Sequence, residues 1–191
     1  MSEELSAKTT IAPRELRDLV YRCCRVRGID AANSDRFAEN LVHAEVTRGA
    51  ALCGFIRILD ASPSSSDELA RLAGAADKIE TAETVIQHQA AATASFETAV
   101  PLLALSHSLQ QAAHRGTISV NISPSTAANQ EVNYIEFVRG TLDDRTQTDV
   151  QQHHLRAYQQ GLTVASFAFL QLETCAAAFR VAEATLDAIS P

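Results

Sequence analysis

With 191 residues, 46% of them hydrophobic and 20% charged, the chain has the make-up of one globular domain rather than a disordered segment. A chain of this length buries about 70% of the surface its unfolded form exposes, so it needs neither a metal nor a disulfide staple. A net charge of −7 argues against nucleic acid as a partner, because non-specific binding needs several phosphates neutralised at once.

The densest basic run, Arg14, Arg17, Arg22, Arg25 and Arg27, is interrupted by Glu15 and Asp18 and reads as a solvated helix face. The start of the chain, Met1 to Ser6, is acidic and polar, without a charged stretch leading into an apolar run. No apolar stretch approaches the ~18 residues a membrane helix needs. The expectation is therefore a cytoplasmic protein whose four cysteines, Cys23, Cys24, Cys53 and Cys175, are reduced. Arginine outnumbers lysine 14 to 2 and alanine is abundant, a composition associated with GC-rich bacterial genomes.

Residues 1–11 read as a flexible tail, and residues 12–191 as a single domain. Pro13 suits the first turn of a helix, where its missing N–H costs nothing. Leu16, Leu19, Val20, Cys23 and Cys24 then recur at helical spacing, and Gly28 suits the left-handed residue that ends a helix. Asp30 can cap a second helix carrying Phe37, Leu41 and Ala44, with Val42 and Val46 alongside. A small-residue loop, Gly49 to Gly54, is expected next. The segment Phe55 to Leu59 fits either strand or helix, and Ser62 to Ser66 reads as a loop whose last serine caps a short helix to Leu72.

Lys78 to Gln89 alternates partly through Ile79, Val85 and Ile86 and is expected as a strand. A helix is expected from Ala99 to Arg115, with Pro101 in its first turn and Gly116 after it. Strands are expected at Ile118–Ile122, closed by Pro124, and at Val132–Val138, followed by a charged turn from Gly140 to Asp149. Asp149 to Gln160 reads as helix and Leu162 to Val164 as a short strand. Leu172, Cys175, Phe179, Ala182, Leu186 and Ile189 form one apolar seam along a long C-terminal helix. No internal repeat appears.

Few residues point to chemistry. His107 and His114 share a helix face but stand two turns apart, too far for two ligands about 2 Å from one zinc ion. His153 and His154 are adjacent and face different ways, His43 lies beside an apolar stripe, and His88 stands alone. No histidine pairs with a cysteine at zinc-finger spacing, so no metal site is expected. Cys23, Cys24 and Cys175 lie on apolar stripes, where a free thiol behaves as a small hydrophobe. Cys53 stands apart, followed by glycine, and with His107 is one of two candidate catalytic residues, because a nucleophilic cysteine needs a lowered pKa and a nearby base. The seven glycines are too dispersed for a dinucleotide fingerprint or a P-loop, so no cofactor is expected. The carboxylates Asp143, Asp144 and Asp149, and Glu3 with Glu4, fall in polar surroundings that read as solvated loops.

Leu16 to Gly49, with the Gly28-Ile29-Asp30 turn and the ending Glu45-Val46-Thr47-Arg48-Gly49, resembles the N-terminal helices of the malate/L-lactate dehydrogenase family that lacks a Rossmann fold. That resemblance implies a catalytic histidine in the loop that follows, where this chain reads Ala51-Leu52-Cys53-Gly54 and places Cys53 at the histidine position. Ala99 to Leu105, the helix after it and the Ile118–Ile122 strand, together with Leu155-Arg156-Ala157-Tyr158 and Leu162 to Ser166, are similar to an uncharacterised bacterial family of about this length. That likeness implies a fold without an assigned activity.

The expected fold is α+β: an N-terminal helix pair, a small mixed or antiparallel sheet and a long C-terminal helix. The expected function is that of a non-catalytic small-molecule-binding or accessory protein associated with metabolism. The alternative is an oxidoreductase-like or Cys-dependent enzyme related to the dehydrogenases. A homodimer or a protein partner, and a small-molecule ligand, are the expected partners, with no membrane among them.

Overall fold

The computed structural model describes residues 7–61, 66–123, 125–142 and 144–187, without the side chains of residue 66 and residues 180–187. It is an α+β fold, mostly helical, with two small antiparallel sheets. No helix among the described residues is long and apolar enough to cross a membrane.

The chain opens with strand β1 (Lys8–Ile11), so the expected tail gives up its last four residues. β1 pairs antiparallel with β5 (Leu162–Ala165), Ile11 opposite Leu162. The buried Ile11 side chain explains why the segment is ordered: it joins the core that the following helices build.

Helix α1 (Pro13–Val26) has Pro13 in its first turn and buries Leu16, Val20, Cys23 and Cys24, the expected stripe. Gly28 closes it, and Asp30 caps α2 (Ala31–Arg48) by accepting from the Asn33 N–H at 3.0 Å. The two helices pack through Leu16, Val20, Phe37 and Leu41, all fully buried.

The expected loop at Gly49–Gly54 is a two-residue corner. Gly49 and Ala50 both take positive φ, 70° and 57°, and helix resumes at once as α3 (Ala51–Ala61). The free N–H groups that begin α3 meet a carboxylate from the preceding helix: Glu45 Oε2 accepts from Leu52 N at 2.8 Å. This is the capping that a helix start requires, supplied from across the corner. The segment Phe55 to Leu59, open between strand and helix, is therefore helical. Its Phe55 ring packs at 5.4 Å from that of Phe37.

Helix α4 (Ser66–Ala73) follows, the expected short helix, with residues 62–65 and the Ser66 side chain outside the described structure. Lys78 to Gln89 is not a strand. α5 (Asp77–Ile86) buries Ile79, Ala82 and Ile86, a helical spacing that the β-branched residues disguise. The helix expected over Ala99–Arg115 divides. Its first residues complete strand β2 (Ala91–Pro101), a short 3-10 turn spans Leu102–Ala104, and α6 covers Ser106–His114. β2 pairs with β4 (Glu131–Arg139), the strand expected at Val132–Val138, with a register break between Ser95 and Val100. β4 also pairs with β3, which covers only Thr117–Ser119 of the region where a strand was expected to reach Ile122. The strand order is β2-β4-β3.

The charged turn after Gly140 gives way to α7 (Asp144–Gln160), which starts five residues before the expected Asp149. α8 (Ser166–Asp187) is the long C-terminal helix. Leu172 of its seam is fully buried and Cys175 half-buried, while Ala182, Leu186 and Ile189 lie outside the described side chains.

Candidate functional site

Among the buried polar residues of helix α2 are Asn40 and His43, one turn apart. Both reach the start of α6, which has no capping side chain of its own. Asn40 Oδ1 accepts from Ser108 N at 2.9 Å, so α2 supplies the missing cap. His43 Nδ1 lies 2.8 Å from Ser106 Oγ, and the direction of that bond follows the tautomer of the ring.

Two further imidazoles close on His43. The His107 ring, from α6, is 5.7 Å away, and that of His154, from α7, is 5.1 Å away. The structure thus joins the predicted candidate His107 to two histidines that spacing along one helix could not pair with it. His107 Nε2 also lies 3.3 Å from the Gln111 side-chain nitrogen and 3.9 Å from Glu39. The Nε2 atoms of His43 and His154 are buried without a hydrogen-bond partner.

Burial disfavours the charged form of all three rings. Burial first, and then the neighbouring His154, His107 and Arg48, push His43 down to about 3. The Gln110 side chain favours the charged ring, but it does not complete a hydrogen bond to Nε2. Burial also lowers His107, against the pull of Glu39, and burial with the other histidines lowers His154.

His43 lines a cavity of about 390 Å³ between α2, α6, β3 and α7. Leu109, Ile118, Ile122, Leu142 and Val150 make its apolar walls, and Thr47, Arg48, Ser106, Gln110, Ser119, Asp149 and His153 supply its polar groups. Arg48 also anchors the chain between β3 and β4, donating to Ser123 O at 3.2 Å and to Thr126 O. The cavity falls within the size range of small-molecule sites and combines apolar walls with a few convergent polar groups. A larger cleft of about 740 Å³ beside α5 is less suited to a ligand, because its charges are already engaged. There Arg115 pairs with Glu83 at 2.7 Å, and Arg139 donates to the carbonyls of Ile86 and Gln87. Among the described residues, no group of three or more His, Cys, Asp or Glu side chains is placed to hold a metal ion.

Cys53 stands elsewhere, in the first turn of α3 and half-buried. Burial and the Glu45 carboxylate push its thiol up, and Arg57 opposes them only in part. Those are the opposite of the conditions that activate a cysteine. At pH 7, Cys53 is expected to react with iodoacetamide no faster than an unperturbed thiol in a peptide. A rate well above that reference, measured by mass spectrometry of the labelled peptides, would return it to a nucleophilic role. Of the carboxylates singled out in sequence, Asp144 and Asp149 sit on α7, Asp149 at the cavity, while Asp143, Glu3 and Glu4 lie outside the described residues.

Compared with protein-family models, with curated proteins and with solved structures, the chain matches none.

Proposed function

We propose that this protein binds a small organic molecule in the cavity beside His43, and that binding rather than catalysis is its role. The observation that carries this reading is an apolar-walled cavity of about 390 Å³ lined by a buried imidazole that Ser106 holds at Nδ1. Thr47, Ser106, Gln110 and Ser119 line the same walls and offer hydrogen bonds to a hydroxyl or carbonyl group. The ring is neutral, and Arg48 and Asp149 bring opposite charges to the walls. The chemistry therefore favours a compact, mostly apolar molecule bearing one hydroxyl or carbonyl group over a strongly charged one.

The Ser106–His43 pair does not favour a hydrolase. An imidazole with a pKa of about 3 is a weak general base at neutral pH, and Ser106 is 3% exposed.

Ligand-observed NMR with a panel of compact alcohols and ketones tests the reading. Binding is expected to the native protein and to weaken by at least about tenfold, roughly 1.4 kcal/mol, when Ala113→Phe fills the cavity. Circular dichroism should show the variant folded. Absence of any binder, or undiminished binding to a folded cavity-filled variant, would overturn the proposal.

A further inference from the structure

Helices α1 and α8 bring three cysteines together. Cys23 and Cys24 are fully buried on α1, while Cys175, on α8, is half-buried. The Cys23 Sγ lies 3.4 Å from the carbonyl oxygen of Leu172, one turn before Cys175, so side chain and backbone are close at this crossing. Cys175 packs against the same core and is the group that perturbs the Cys23 thiol most.

The surroundings of the two sulfurs differ. Cys175 opens onto a groove of about 520 Å³ whose lining includes Val26, Arg27, Leu59 and Leu170. The Cys23 thiol and the Arg27 guanidinium both favour negative charge on its sulfur and bring it down to about 7, against the effect of burial. Cys23 shifts the other way, raised by the neighbouring Cys175 and by burial, and Cys24 is raised chiefly by burial. An accessible sulfur with thiolate character beside a buried thiol is the arrangement of a reacting and a resolving cysteine.

We propose that Cys175 is a peroxide-reactive thiol and that Cys23 resolves it, so that the α1–α8 contact carries a reversible disulfide. The co-reactant is a hydroperoxide. The Cys175 thiolate attacks one peroxide oxygen, the O–O bond breaks, and the leaving oxygen takes a proton to become water or an alcohol. Cys175 is left as a sulfenic acid. The sulfur of Cys23 then attacks that of Cys175, the S–O bond breaks, and the hydroxyl leaves as water with the Cys23 proton. Two electrons have passed from the sulfur pair to the peroxide. A dithiol reductant reverses the change, and is itself oxidised to a disulfide.

The test treats the full chain with a small excess of hydrogen peroxide at pH 7, blocks remaining thiols with iodoacetamide and maps the peptides. The expected result is a Cys23–Cys175 disulfide, lost after dithiothreitol. In Cys23→Ala, the expected product is a Cys175 sulfenic acid trapped by dimedone, and in Cys175→Ser neither product should form. Without peroxide, iodoacetamide should label Cys175 of the native protein at least about tenfold faster than Cys53. That comparison needs no variant to fold. Equal labelling of the two cysteines, dimedone capture at Cys53 instead of Cys175, or oxidation undiminished in folded Cys175→Ser would overturn the proposal.

Discussion

Acidification from pH 6.5 to pH 5 is expected to cost the fold about 1.5 kcal/mol through His43 alone. The folded pKa of this histidine is about 3, against an ordinary value of 6.5. Below pH 6.5 the unfolded chain takes up a proton that the folded chain refuses, so the stabilisation is complete above that pH and falls away as pH drops towards 3. The slope is about 1.4 kcal/mol per pH unit once the unfolded ring is fully charged. His107 and His154 are lowered too and add the same sign over narrower windows. Glu45 acts oppositely. Its carboxyl is raised, chiefly by burial, so the folded state protonates first and recovers some stability at the acid end. The range between pH 6.5 and 5 isolates the histidines best, because ordinary carboxylates hardly titrate there.

Urea unfolding at the two pH values measures the effect. His43→Asn keeps a polar atom near the Nδ1 position for Ser106 but cannot titrate, and its loss between the same pH values should be smaller by about 1.5 kcal/mol. Equal losses in the two proteins would show that His43 protonates as readily folded as unfolded.

Gly54→Ala should destabilise the protein by about 1–3 kcal/mol, although alanine is the better helix former. Gly54 lies inside α3, buried against the segment leading into β4. A methyl group there would fall on the Asn129 amide and stand 2.8 Å from Leu103 Cδ2. Asn129 cannot retreat freely, because its Nδ2 donates to Ala50 O at 2.9 Å and so ties the Gly49–Ala50 corner to the rest of the fold. The substitution therefore forces the loss of that bond or a shift of α3. Thermal and urea denaturation report the cost. A neutral or raised midpoint would mean that Asn129 and Leu103 can move aside, and that the close approach is not what keeps glycine at this position.

Gly54 also shows where the sequence was legible and where it misled. Two glycines bounding small residues suggest a loop, yet only Gly49 and Ala50 leave the helical conformation. The cap for the resumed helix comes from Glu45, and nothing in the local pattern announces a carboxylate reaching across the corner. The α1–α2 pair was readable because its signals are local: Pro13, Asp30 and an apolar period that tertiary packing did not overrule. Strand β2 was hidden by its alanines, which have little β-propensity and are held by pairing with β4, about 40 residues away. In α5 the buried position between Ile79 and Ile86 is Ala82, too small to mark the helical face. The histidine cluster was out of reach for the same non-local reason. His43, His107 and His154 come from three helices, and spacing within a segment can test only partners on that segment. One clue was present in the sequence: His43 and Asn40 flank the Phe37–Leu41–Ala44 stripe of an amphipathic helix, where polar residues need partners from elsewhere.

Helix α7 buries only Ala157 among its 17 residues, and Leu155 and Tyr158 are exposed on it. It nevertheless contributes Asp149, Val150 and His153 to the cavity wall. So little buried apolar surface makes α7 a unit that can detach while the α1–α2 core stays folded. Entry to the proposed site would then follow local opening of α7 rather than global unfolding. A molecule bridging α2 and α7 would slow hydrogen exchange along α7 most, far from most of the atoms it touches.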